Sequence, residues 1–212
     1  KVSQPSSYSQ CSICAGRAKD DPFYLMYYVD FFTGLRESEL IGLTWDCIDF
    51  AKGTIRVYRQ FVRIASGPDK GKMMFTSLKN HKERTIHPAP SVMDALRQAK
   101  EKQNRQRLLA GSSWDNVYDM VFTRDNGMFI RFKTLYVHFK ALVSRLNRPE
   151  VRFHDIRHTY ATLAIQSEID FKTLSLSLGH ATVAFTLDTY GHVSNHMSQN
   201  AAAKMEKFIC SL

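Results

Sequence analysis

Between Asp21-Pro22 and Gly34 the chain runs through Phe23, Tyr24, Met26, Tyr27, Val29, Phe31 and Phe32, a helix-length stretch that is apolar on nearly every side. Proline near its first turn and glycine after its last mark the two ends. A helix without a polar face belongs in a core, so the remaining elements must wrap around it. The 212 residues suffice for that, as one large domain or two small ones.

Arg36 stands at the junction between this helix and the next, expected over residues 37–43. An arginine placed just after a buried helix is rigidly held, and Glu39 three residues on can pair with its fork. Taken alone, the pair reads equally well as a surface Arg-Glu contact on a helix. Residues 45–50, 54–64, 73–78 and 84–87 alternate or cluster β-formers, with turns at Ala51-Lys52-Gly53 and Ser66-Gly67-Pro68-Asp69. They predict a small antiparallel sheet whose last turn, residues 79–84, is strongly basic. Helices are expected over residues 91–109 and 129–146, each with a basic outward face, and again from His154 onward. The fold class is therefore α+β, mainly α-helical with a small antiparallel β-sheet. Residues 1–20 are expected as a separate N-terminal segment, rich in serine with a helix over 8–19, and a last helix is expected over 196–209.

A second cluster of chemistry-bearing residues lies between Phe153 and Tyr190. It reads F-H-D-I-R-H-T-Y-A-T-L-A, passes Leu178-Gly179-His180 and closes on T-L-D-T-Y-G-H. On a helix His154 and Arg157 fall within about 60° of each other with His158 close by, while Ile156, Tyr160 and Leu163 group on the far side. Guanidinium grips two oxygens at once and imidazole exchanges protons near neutral pH, a pairing suited to an anion such as phosphate. Tyr190 beside Gly191 could leave its hydroxyl exposed, as a nucleophile would need.

The charge points the same way. There are 29 Lys and Arg against 20 Asp and Glu, a net +9, and residues 52–84 alone hold nine basic against two acidic side chains. Basic residues interleaved with aromatics, as in Arg56-Val57-Tyr58-Arg59-Gln60-Phe61-Val62-Arg63, suit a polyanion such as DNA, although a solvated strand face has the same composition. Four scattered cysteines do not make a disulfide framework, and Cys11-x-x-Cys14 has no second pair for a zinc site. Reduced thiols, no apolar run near the roughly 20 residues that span a bilayer, and no signal peptide predict a cytoplasmic protein with no membrane contact. A first residue of Lys predicts that the chain is a fragment of something longer.

Thr33-Gly34-Leu35-Arg36-Glu37-Ser38-Glu39-Leu40, then His154-Asp155-Ile156-Arg157-His158-Thr159, then Leu178-Gly179-His180, then Tyr190 resemble the successive boxes of the tyrosine recombinases, the phage integrase family. The resemblance covers residues 21–208 and implies the family's catalytic-domain fold over residues 21–212, without its N-terminal core DNA-binding domain. It implies Tyr190 as nucleophile, Arg36 and Arg157 as the clamp on the scissile phosphate, Glu39 as support, and His154 and His180 as further catalytic residues. It also implies a catalytic lysine on the β-hairpin, for which Lys79 aligns best, with Lys82 and Lys72 as competitors. Arg56, Arg59, Arg63, Lys72, Lys82 and Arg84 are the candidate DNA contacts. No cofactor and no metal are expected. The expected partner is double-stranded DNA at attachment sites, with a homotetramer on DNA and a monomer in isolation, in a bacterial or phage-encoded, nucleoid-associated setting.

The chemistry follows without the family. A phosphodiester repels nucleophiles, so a catalyst must neutralise its charge, align the attacking oxygen and protonate the departing one. Two arginines serve the first task, and a cluster of carboxylates for a metal pair is not evident. Three rival readings remain: a metal hydrolase on His154 and His158 or on His192 and His196, a non-catalytic DNA-binding module, and DNA relaxation of the type IB topoisomerase kind.

Overall fold

The computed structural model describes residues 19–79, 82–194, 205–206 and 208–210. The element order is α1 (Tyr24–Thr33), α2 (Glu37–Ile41), a 3-10 turn (Trp45–Cys47), β1 (Ile48–Asp49), β2 (Thr54–Val57), β3 (Arg59–Arg63), β4 (Met73–Ser77), β5 (Arg84–Ile86), α3 (Pro90–Ala110), a 3-10 turn (Gly111–Ser113), α4 (Phe132–Arg145), α5 (Asp155–Gln166), α6 (Phe171–Leu178), α7 (Val183–Tyr190) and a 3-10 turn (Gly191–Ser194). It is the expected α+β arrangement, mainly helical. The expected helix over 8–19 falls almost wholly outside the described residues. Of the last one, Met205, Glu206, Phe208 and Ile209 are helical and exposed.

α1 sits where its composition requires. Met26, Tyr27 and Val29 are buried, and the helix packs against both α3 and α5. It stops at Gly34, whose φ of 59° lies in the left-handed region and whose N–H donates to the Asp30 carbonyl. A Cβ there would meet Tyr160 Cδ1 of α5 at 2.4 Å, so glycine is needed for close approach as well as for backbone conformation.

The predicted single sheet is two sheets. β1, β2 and β5 form one antiparallel sheet with Ile55 opposite both Ile48 and Ile86, while β3 and β4 pair separately with Phe61 opposite Phe75. The stretch expected as one strand over 54–64 changes partner at Tyr58. The cause lies in residues 45–47, expected as strand and found as a 3-10 turn closed by Cys47 N–H on the Thr44 carbonyl. That turn offers Asp46, to which the Tyr58 hydroxyl donates at 2.6 Å and Arg59 Nη2 at 3.0 Å, while Arg59 Nη2 also donates to Thr44 Oγ1.

One large core joins α1 to α4 and the sheets, with Leu135, Phe139, Leu142 and Val143 of α4 buried at helical spacing. A smaller core of Ala161, Ala164, Ile165, Leu174, Leu178 and Tyr190 joins α5, α6 and α7. Leu174 and Leu178 are fully buried, each stabilising this unit by roughly 2 kcal/mol. Cys47 and Cys210 are free thiols. Among the described residues no helix is long and apolar enough to cross a membrane.

Candidate active site

The two cores meet at the C-terminal end of α6, and the candidate residues gather there. Arg36 lies in the extended turn after α1, and Glu39 reaches back from the first turn of α2. The Glu39 carboxylate accepts from Arg36 N–H at 2.9 Å and from Arg36 Nη1 at 2.8 Å. The other face of the same carboxylate takes both ends of a second guanidinium, Arg84 Nη1 at 3.0 Å and Nη2 at 2.7 Å. The Glu39 side chain is 1% exposed. Burial by itself would raise its pKa, but the hydrogen bonds and charge of Arg84, with those of Arg36, outweigh it and hold the carboxyl at about 2.

Three consecutive carbonyls at the end of α6 then take one arginine each. Ser177 accepts from Arg84 Nε, Leu178 from Arg157 Nη2 and Gly179 from Arg36 Nη2, all at 2.7 Å. These are helix-end carbonyls left over from the α-helical ladder, at the negative pole of the helix. Arg157 also donates to the Gly34 carbonyl, so the end of α1 and the end of α6 are joined through one buried guanidinium. Gly179 has a φ of 66°, and a Cβ on it would lie 2.8 Å from Arg84 Nη1.

At this cluster three guanidinium charges meet the single carboxylate charge of Glu39, leaving two positive charges in excess. Asp30 is buried on α1: burial above all pushes its carboxyl well above the usual range, opposed by the charge of Arg157, and its Oδ1 has no hydrogen-bond partner. The excess is felt by its members. Burial and then the charge of Arg36 lower Arg157 to about 10, and burial followed by Arg157, Arg36 and Arg84 lowers His180 to about 4. An anion relieves the crowding of like charge on Arg157, and the array of N–H groups is matched to phosphate oxygens.

Tyr190, at the end of α7, borders the cluster. The segment beside Gly191 could have left its hydroxyl exposed; the residue is 5% exposed and the hydroxyl lies 2.7 Å from His158 Nδ1. Burial raises its pKa, opposed by the charge of Arg157. The His180 ring lies parallel to the Tyr190 ring with centroids 6.4 Å apart, its Nδ1 2.8 Å from Thr186 Oγ1. His154 precedes α5 and meets His158 edge-on, centroids 4.7 Å apart.

Other candidates lie apart from this cluster. Lys79 is exposed on the connection from β4 to β5, followed by two positions outside the described residues, with Lys82 exposed beyond them. That connection joins strands of different sheets, so it is not the hairpin expected of it. Arg84, expected on the DNA face, is the buried partner of Glu39 with 8% of its side chain exposed. Arg59 is also drawn inward, held by Asp46 and Thr44 and lying over the Phe75 ring at 4.3 Å. Arg56 and Lys72 are exposed but ion-paired, with Glu83 and Asp69, and exposed Arg63 donates to the Gly71 carbonyl. Among the described residues no group of three or more His, Cys, Asp and Glu is placed to share a metal, and His196 of the second histidine pair lies outside them.

Sequence reasoning named neither Arg84 as part of the cluster nor His158 as the neighbour of Tyr190. The one available signal for His158 was its place beside Arg157 on a single helix.

The chain is 32% identical over 183 residues to a XerC-like tyrosine recombinase of Caldanaerobacter subterraneus, covering 83% of this chain and 47% of that protein. It is 25% identical to the ICEBs1 integrase of Bacillus subtilis, over 88% of this chain and 49% of that protein. The chain thus spans about half the length of these curated relatives. Its fold matches the Tn1549 transposon integrase, solved in complex with a circular intermediate DNA, with a TM-score of 0.74 at 22% identity, covering 98% of this chain and 67% of that one. Residues 17–197 match the phage integrase family, and the chain belongs to that family.

Proposed function

We propose that the protein breaks and rejoins DNA at specific sites, integrating or excising a mobile element or phage through a 3′-phosphotyrosyl intermediate. The observation that carries this reading is the pairing of a buried cluster with two uncompensated guanidinium charges and a tyrosine hydroxyl at its border, held by an imidazole. Arg36 and Arg157 neutralise the non-bridging oxygens of the phosphodiester, Arg36 fixed by Glu39, which Arg84 holds in turn, and Arg157 by the Gly34 and Leu178 carbonyls. Tyr190 attacks phosphorus, His154 assists in proton transfer, and His180, held uncharged, gives a hydrogen bond to the phosphate. Lys79 protonates the departing 5′-oxygen. Because the ester to Tyr190 keeps the bond energy, a 5′-hydroxyl from a second strand can displace the tyrosine without ATP.

The partner in this reading is double-stranded DNA at attachment sites, met by the exposed basic residues Arg56, Arg63, Lys72 and Lys82, with four protomers assembled on it. The relatives support the class of reaction, since they are a recombinase and an integrase. The test is a nicked duplex carrying the ends of the element that encodes the protein, incubated in EDTA and resolved on a denaturing gel. A covalent protein-DNA band, lost in Tyr190→Phe while DNA binding persists, is the expected result. A band or cleavage appearing only with added metal would overturn it.

A further inference from the structure

Resting on the strand-cleavage reading above, we infer that His158 is a catalytic residue: its Nδ1 holds the Tyr190 hydroxyl and accepts the phenolic proton as Tyr190 attacks phosphorus. The position of the nucleophile is the first ground. At 2.7 Å the nitrogen and the oxygen are at proton-transfer distance, and Tyr190 is buried, so the hydroxyl is held by this contact and not by solvent. Helix α5 is the second ground. Arg157 and His158 are successive residues, about 100° apart around the helix, so one side chain turns to the carbonyls at the ends of α1 and α6 and the other turns to α7. A single rigid turn thereby fixes the phosphate clamp and the proton acceptor relative to each other.

The charged groups around the imidazole settle its state. From its own helix it faces Asp155 and Arg157, from the residues just before that helix Arg152 and the His154 ring, and from α7 Tyr190; His180 feels its charge across the site. Burial, with Arg152 and Arg157, holds its pKa below the ordinary histidine value despite Asp155, so the imidazole is uncharged at neutral pH and has a lone pair to accept with. With the proton on Nε2, Nδ1 is the acceptor. In the attack the Tyr190 O–H bond breaks, its proton passes to Nδ1, the oxygen forms the O–P bond, and the P–O5′ bond breaks with its electron pair leaving on the 5′-oxygen. On rejoining, the imidazolium returns the proton to the departing Tyr190 oxygen. His154 lies edge-on to His158, centroids 4.7 Å apart.

Two measurements test this. The first is single-turnover adduct formation on the nicked duplex between about pH 5 and 9, for the wild-type protein, His158→Asn and His154→Asn, with thermal melts of each to confirm folding. Asparagine sets an acceptor near the Nδ1 position but cannot carry the proton. His158→Asn should form adduct about 100-fold or more slowly, within the range expected for a lost acid-base group. It should also lose the fall in rate that the wild type shows as acid protonates the imidazole, while His154→Asn keeps that fall. A rate for His158→Asn within threefold of wild type, or the fall surviving in His158→Asn and vanishing in His154→Asn, would overturn the assignment. The second needs no DNA: nitrogen NMR of the histidines should find the His158 proton on Nε2 and an Nδ1 resonance that moves in Tyr190→Phe. A proton on Nδ1 would make His158 a donor to Tyr190 and overturn the assignment independently. Failure of the wild type to form any adduct overturns the strand-cleavage reading and this assignment with it, and is recognised because it involves no variant.

Discussion

Replacing Glu39 by glutamine isolates the electrostatic design of the site. The side chain keeps its size and one acceptor oxygen, but the charge opposing Arg36 and Arg84 is gone. The carboxyl sits at about 2 in the fold against an ordinary 4.5, a preference for the ionised form worth about 3 kcal/mol. Removing one partner of a buried ion pair carries a penalty of roughly 3–5 kcal/mol, since the remaining charges stay buried. Glu39→Gln should therefore lose about 3–4 kcal/mol, a large share of the roughly 5–15 kcal/mol that holds a domain together. In urea, at a slope of about 1–3 kcal/mol/M, the midpoint should fall by more than about 1 M with the slope unchanged. The pH dependence fixes the sign. A depressed folded pKa contributes stability that is complete above the unfolded value of 4.5 and is lost as pH falls toward 2, so the gap between wild type and variant should close over that interval. Sulfate should also narrow the gap by neutralising the cluster. A loss below about 1 kcal/mol at neutral pH, or a gap unmoved by acid, would refute the reasoning: the attraction of the two arginines would then do no more than cancel the desolvation of the carboxylate.

Gly179→Ala combines a left-handed backbone with a 2.8 Å approach to Arg84 Nη1, so it should destabilise by roughly 1–3 kcal/mol and loosen Arg84, seen as a lowered melting temperature. For DNA binding, the logarithm of affinity should fall linearly with the logarithm of salt concentration by about 0.9 per neutralised phosphate. Arg63→Ala should reduce that slope by about one, whereas Arg84→Ala should leave it unchanged and lower stability, because only the first side chain is exposed. Equal effects of the two on the slope would return Arg84 to the DNA face.

Local signals carried much of this structure. Pro22 and Gly34 bracket α1, its composition places it in the core, and the order of Arg36, Arg157, His180 and Tyr190 along the chain marks the elements that converge. What was not legible depends on partners far away in sequence. Arg84 reads as one more cation in a basic strand because its counter-charge, Glu39, lies 45 residues earlier. His158 reads as a helix histidine because the hydroxyl it meets lies 32 residues later. Tyr58 sits inside a run of β-formers, and only Asp46, raised by a 3-10 turn, shows why the strand changes sheets there. Charge pattern gives the sign of a surface but not which of its members are turned inward.

The grip of Ser177, Leu178 and Gly179 on three arginines uses only main-chain oxygens, which almost any residue supplies. Ser177 can therefore vary between relatives without altering the hold on Arg84, and a comparison of side chains would overlook the helix end that organises the site. The cations come from three distant parts of the chain and each has a bond to the end of α6, so a shift of α6 against α1 alters Arg36, Arg84 and Arg157 in a single motion.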